Sequence, residues 1–236
     1  MIEPSLRLRR AIHASDALLV RRILKSHPML IRNPDTSALG AVLGLSNTSL
    51  HLAASLGHTV LVKTLLELGH EEGGVSLNEE HQTPLMLAAR DGHTEVVHLL
   101  CTECPRSIAK RDIRGRDAIM EASKGAHDTC LQILLTYSEG GPVKMLGNAD
   151  VDGNTALHFA SSNGHLLVLR TLLAAGADSE KRNVWHWTPI SYSATVEAEV
   201  YFRRLVAEVE RRKDVRNNVE REGKGGAVRV VESEDL

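Results

Sequence analysis

Cys101 and Cys104 stand two residues apart, and twelve histidines are spread along the chain. Thiolates and imidazoles are the common ligands of zinc, and the two-residue cysteine spacing also serves thiol–disulfide exchange. A zinc site of this kind needs a second pair, and the third cysteine, Cys130, stands alone. Cys101 moreover continues the aliphatic run Leu99-Leu100, where a thiol reads as a small buried apolar group. Six of the histidines fall into two recurring slots: His51 and His158 in one, and His58, His93, His127 and His165 in the other. Slots that recur along a chain become stacked layers, not convergent ligands. Glu222-Gly223-Lys224-Gly225-Gly226 lacks the spacing of a phosphate-binding loop and follows no strand pattern. Serine, histidine and aspartate are abundant, yet nothing orders them into a nucleophile, a base and an orienting acid. The side chains therefore point to binding, with no catalytic residue, no cofactor and no metal expected.

The elements that must position these histidines repeat. Thr48-Ser49-Leu50-His51-Leu52-Ala53-Ala54, Thr83-Pro84-Leu85-Met86-Leu87-Ala88-Ala89 and Thr155-Ala156-Leu157-His158-Phe159-Ala160 are three versions of one phrase. Each runs on to a Gly-His pair (Gly57-His58, Gly92-His93, Gly164-His165) and then a leucine pair: Leu65-Leu66, Leu99-Leu100 and Leu172-Leu173. Weaker copies begin at Ser5, at Asp117 and at Thr188, and the steps from Thr48 through Thr83, Asp117, Thr155 and Thr188 are 35, 34, 38 and 33 residues. Threonine can cap a helix start, proline fits the first turn, and glycine ends a helix where a left-handed residue is wanted. Each phrase thus predicts two short helices. Such helices are too short to persist alone and depend on burial against the next pair.

A Thr-Pro-Leu-His-x-Ala phrase at a period near 33 residues is the pattern of ankyrin repeats, and the chain resembles that family. The resemblance implies an all-α solenoid of about six helix-turn-helix repeats with degenerate caps at both ends. In this register the repeat domain spans 1–211, in units 3–32, 43–77, 78–111, 112–149, 150–182 and 183–211. Residues 33–47 lengthen the first step and read either as an extra helical turn or as a packed loop. The last helix is expected to fray near Lys213, leaving residues 212–236 as a charged, disordered tail.

Composition agrees with a layered array. Aromatic residues make up 3% of the 236, too few to anchor a compact core but enough for thin layers filled by Leu, Ala and Val. A formal net charge of −2 gives no general pull toward nucleic acid. No apolar run approaches a membrane span, and Met1-Ile2-Glu3-Pro4 is neither a signal peptide nor a myristoylation site. Free thiols suit a reducing compartment. The expected location is the cytoplasm, with peripheral plasma-membrane association only as part of a complex.

Proteins of the ankyrin family bind other proteins through the tips between repeats and through the face made by first helices. Here the tips carry Glu79 and Glu80, then Ile113 and Arg114, then Val151, then Val184, Trp185 and Trp187. Ile113, Val151 and Val184 hold one repeat position and form an apolar line, while tryptophan is the residue most enriched at binding hot spots. The two tryptophans have an alternative role in sealing the last repeat, with Trp185 the better contact and Trp187 the better seal. A second candidate lies at the basic amino-terminal end, where Arg7, Arg9 and Arg10 could meet an acidic partner or cover apolar surface with their stems.

Where the repeat phrase is broken, the chain resembles a narrower group. Glu3-Pro4-Ser5-Leu6-Arg7-Leu8-Arg9-Arg10, Leu68-Gly69-His70-Glu71, Cys104-Pro105-Arg106-Ser107 and Trp187-Thr188-Pro189-Ile190, in this order, are similar to the ankyrin-repeat accessory subunits of fungal target-of-rapamycin complex 2. That likeness implies a non-catalytic subunit whose partners are proteins of a kinase assembly, acting in signalling toward actin and cell-wall integrity. The alternative is an unrelated ankyrin adaptor, such as a ubiquitin-ligase substrate receptor or a transcription-factor-binding protein.

Overall fold

A computed structural model of the protein describes residues 3–32, 46–138 and 140–225, with side chains described through residue 215. All regular structure among the described residues is helical. Five antiparallel pairs follow the repeat phrase: α1 (Pro4–His13) with α2 (Ala17–Ser26), α3 (Ser49–Ser55) with α4 (Thr59–Glu67), α5 (Pro84–Asp91) with α6 (Thr94–Glu103), α7 (Ala118–Lys124) with α8 (Asp128–Thr136), and α10 (Ala156–Ser162) with α11 (Leu166–Ala174). A short helix, α9 (Pro142–Leu146), occupies the surplus of the longest step, and α12 (Val196–Gly225) closes the array.

First helices stack on first helices, and second helices on second helices. Between these two layers lies the core, built of Leu, Ile, Val, Met and Ala, with Phe202 the one fully buried phenyl ring among the described residues. Ala53, Ala54, Ala88 and Ala89 are fully buried and let the first helices approach. Thr83 Oγ1 accepts from Met86 N at 3.2 Å, and Asp117, standing where threonine recurs, accepts from Met120 N at 3.0 Å. Both cap orphan amides at a helix start.

The Gly-His pair joins one repeat to the next. Gly57 and Gly92 are left-handed, with φ of 72° and 80°. A methyl group on Gly57 would sit 2.5 Å from the His93 ring, and one on Gly92 would sit 2.4 Å from His127. Glycine is favoured twice over at these two joints, by the backbone turn and by the histidine of the following repeat. His93 Nε2 also donates to the Ser55 carbonyl at 2.8 Å. At the next joint Ala126 (φ 64°) fills the left-handed position in place of glycine, and His165 Nε2 donates to the Lys124 carbonyl at 3.0 Å.

Two expectations are corrected at the carboxyl-terminal end. The phrase at Trp187-Thr188-Pro189 predicts a helix opening the sixth repeat, but only a 3-10 turn, Pro189–Tyr192, forms there. Thr188 Oγ1 engages Ser191 Oγ at 3.2 Å instead of capping an amide, and the chain turns out of the helical region at Ser193. The last helix, for its part, continues past Lys213 to Gly225. Arg203–Glu199 at 2.7 Å and Arg212–Glu208 at 2.5 Å are i,i+4 pairs that support it locally, in a sequence rich in helix formers. Residues 33–45, for which the sequence allows two readings, and 226–236 lie outside the described residues. No helix among the described residues is long and apolar enough to cross a membrane.

Candidate protein-binding surface

Four inter-repeat tips are built alike, and the residue that builds each is Asn or Asp. Asn78, Asp112, Asp150 and Asn183 each donate their backbone N–H to the carbonyl four residues on, at 3.1, 2.9, 2.9 and 3.1 Å. Their side-chain oxygen accepts from the amides two and four residues on: Glu80 and Gln82, Arg114 and Arg116, Asp152 and Asn154, Trp185 and Trp187. These are Asx turns closed into a small loop, and the left-handed fourth residue is His81, Gly115, Gly153 or His186. Sequence reasoning gives none of these four residues a structural role. The signal that could have found all four is the recurrence of Asn or Asp at one position of each repeat.

The tips are also tied to one another. Ile113 N donates to Glu80 O at 3.0 Å, Val151 N to Arg114 O at 2.9 Å, and Val184 N to Asp152 O at 3.0 Å. The structure therefore brings Ile113, Val151 and Val184 together as equivalent residues of three consecutive, bonded tips. These three and both tryptophans are between 53% and 66% exposed and lie on neighbouring tips, so together they form an exposed apolar line. Glu79 holds the corresponding place in the first of the four tips and accepts a hydrogen bond from the Ser46 hydroxyl. Glu80, beside it, supplies the carbonyl that Ile113 uses.

The tryptophans differ. Trp187 lies edge-on to Tyr192 with ring centroids 5.4 Å apart, and its carbonyl accepts from His158 Nε2 at 3.1 Å. Trp185 has no aromatic partner among the described residues and projects from the tip itself. Arg7, Arg9 and Arg10 sit on α1 at the opposite end of the array, Arg7 and Arg10 exposed and Arg9 half-buried, so the structure does not bring them to the tryptophans.

The histidines of the first slot are committed to holding repeats together. His51 Nε2 donates to the Gln82 carbonyl at 2.9 Å, which leaves Nδ1 to accept from the Thr48 hydroxyl at 2.8 Å. His158 repeats this, donating to Trp187 O and accepting from Thr155 N at 3.1 Å. Both rings are thus neutral and doubly bonded. Burial holds the His51 pKa down to about 4 from an ordinary 6.5, with the Gln82 bond opposing, and burial lowers His158 in the same direction. A depressed folded-state pKa gives stability that is complete above pH 6.5 and lost as pH falls toward 4, because the unfolded chain takes the proton first. The advantage in unfolding free energy over a His51→Gln variant should therefore shrink by about 2–3 kcal/mol between pH 7 and pH 4. Urea unfolding at several pH values reads this, and a pH-independent difference would count against it. Burial likewise raises the thiols of Cys101 and Cys104, to about 12 and about 11, the opposite of what a reactive or metal-binding thiolate needs.

Sequence reasoning missed one buried charged group. Arg116 Nη2 and Nε reach Asp112 Oδ2 at 2.8 and 3.0 Å, and Nη1 lies 2.9 Å from Glu121 Oε1, with all three residues buried. Glu121 stands where repeats two, three and five carry Leu52, Leu87 and Phe159. Burial pushes its carboxyl above the ordinary range, against the pull of Arg116.

Comparison with known proteins agrees with this architecture. The family model described as ankyrin repeats, three copies, matches residues 8–112 and 104–183. The chain is 31% identical over 213 residues to the target of rapamycin complex 2 subunit AVO2 of Saccharomyces cerevisiae, which covers 89% of this chain and 47% of that protein. It is 31% identical over 197 residues to the probable E3 ubiquitin-protein ligase XBOS32 of Oryza sativa, covering 72% of this chain and 38% of that one. The chain thus spans less than half the length of these curated relatives. Among solved structures, the ankyrin repeat protein EF0377 superposes with a TM-score of 0.70 at 20% identity, over 88% of this chain and 98% of that one, a likeness of fold.

Proposed function

The chain belongs to the ankyrin-repeat family, and from that premise we propose that it is a non-catalytic interaction scaffold serving as an accessory subunit of a target of rapamycin complex 2 assembly. The observation that carries this reading is the likeness to the yeast subunit across 89% of the chain, which takes in the irregular repeats as well as the regular ones. A role in signalling to actin and cell-wall integrity, carried over from the sequence resemblance, belongs to the same proposal. In it, the bonded tips present Ile113, Val151, Val184 and Trp185 to a protein partner, while Trp187 steadies the last tip against Tyr192. Arg114 and Glu80 flank that line, and Arg7, Arg9 and Arg10 offer a separate contact at the other end.

A second reading is an adaptor that delivers substrates to a ubiquitin ligase, favoured by the likeness to the rice ligase over 72% of the chain. Affinity purification with mass spectrometry separates the two. Recovery of the kinase with its core scaffold subunits supports the first, recovery of a cullin in their place supports the ligase adaptor, and recovery of a transcription factor without either points to a transcription-factor-binding adaptor. With the captured partner in hand, Trp185→Ala should weaken binding by about 2 kcal/mol, roughly thirtyfold, as expected for a hot-spot tryptophan. Titration calorimetry that finds the affinity unchanged removes the tips from the interface.

A further inference from the structure

A groove of about 650 Å³ opens on another part of the molecule, where the segments that follow α4, α6 and α8 lie side by side. These are the places where the repeat departs from its regular length: the Gly73-Gly74 turn, the 3-10 turn Pro105–Ser107, and the inserted helix α9. Four cations line it, Arg106, Lys110, Arg111 and Lys144, with no acidic side chain among the described lining residues. All four are exposed, and none forms a salt bridge with a described residue. Arg111 is held in place by a hydrogen bond from Nη1 to the Ala149 carbonyl at 3.4 Å. Apolar surface from Val75, Ile108 and Met145 completes the lining between the charges.

In a chain whose formal net charge is −2, four exposed cations converging on one recess form a local field of the opposite sign, offset only by the buried carboxylate of Asp117, which lies within electrostatic reach of Arg111 and accepts from Asn148 Nδ2 at 2.9 Å. We propose that this groove is a second docking site, separate from the tips, and that its occupant is an acidic peptide segment of a partner protein in which carboxylates alternate with aliphatic side chains. Carboxylates match the cations, and aliphatic side chains match the apolar lining. The volume lies in the range that encloses a short segment. Single-stranded nucleic acid is disfavoured because no aromatic side chain lines the groove to stack a base. A bilayer surface is disfavoured because the apolar surface is recessed between three segments.

The test uses the full chain and a fluorescein-labelled ten-residue peptide of alternating Glu and Leu, read by fluorescence anisotropy. Binding is expected to weaken as sodium chloride rises. It should fall at least about tenfold in Arg106→Glu/Lys110→Glu, which reverses two exposed charges and leaves the bonded Arg111 alone. Circular dichroism confirms that the variant is folded. Arg22→Glu/Lys25→Glu, the same charge change on exposed residues of α2, should bind as the parent does, and so should Trp185→Ala, which keeps this site distinct from the tips. Equal losses in the two double variants, or no loss in the groove variant, overturn the proposal. Groove-dependent binding to vesicles containing phosphatidylserine, without binding to the peptide, overturns the assignment of the occupant.

Discussion

Arg116→Ala should lower the stability of the array by about 3–5 kcal/mol, because it leaves a buried carboxylate without its counter-charge. Asp112 loses both bonds to Oδ2 when the guanidinium is gone but keeps two backbone partners, since its other oxygen still accepts from Arg114 N and from the amide of residue 116. Glu121 does not: 2% exposed, it has Arg116 as its one ion-pair partner among the described residues. Its carboxyl, already pushed up by burial, would rise further and take a proton. A folded-state pKa raised above the unfolded value gives stability present at low pH and lost as pH rises, so the deficit should be larger at pH 7 than at pH 5. The double variant Arg116→Ala/Glu121→Leu should regain much of the loss, because leucine holds this place in the second and third repeats. Urea unfolding of the three proteins at both pH values reads the effect. A double variant no more stable than Arg116→Ala would show that the charge group does not act as a unit.

Leu172→Ala should cost about 2–5 kcal/mol, the range for emptying a buried leucine site. Leu172 is fully buried on α11, which packs against α8 on one side and α12 on the other. Each repeat of a solenoid leans only on its neighbours, so a cavity there weakens two interfaces at once. Both tryptophans lie beyond this point in sequence, at the last tip, and most of the helix precedes it. The urea midpoint should fall by both tryptophan fluorescence and circular dichroism. Unfolding unchanged by either probe would contradict the register in which Leu172 faces the core.

The repeats with a full phrase were legible because each residue of the phrase acts locally. Thr83 caps, Pro84 opens a turn, and Gly57 and Gly92 reverse it. Long-range roles were hidden. Asn78, Asp112, Asp150 and Asn183 shape the tips, yet each looks like an ordinary loop residue until its three hydrogen bonds are seen together. Arg116 is of a type that normally stays in water, and its burial depends on Glu121 five residues away. The groove draws Lys110 and Lys144 from different repeats, so no stretch of sequence displays it. At the carboxyl-terminal end the charge-rich composition read as a tail, while the last helix runs on through the first of those charged residues to Gly225. The exposed line Ile113, Val151 and Val184 was visible as a shared repeat position. The backbone bonds that hold it rigid were not.

The glycine beneath the histidine also bears on how interchangeable the repeats are. From the second repeat to the fourth the joints are the same, His93 over Gly57 and His127 over Gly92. A unit duplicated or deleted between them would still bring a histidine to a waiting glycine, so the number of repeats there can change without redesign of a joint. After the fourth repeat Ala126 occupies the position with its methyl group, and that joint is no longer interchangeable with the others. The array is in this sense built of two kinds of part: a middle whose joints are alike, and a final block, bearing both tryptophans, whose entry joint is different.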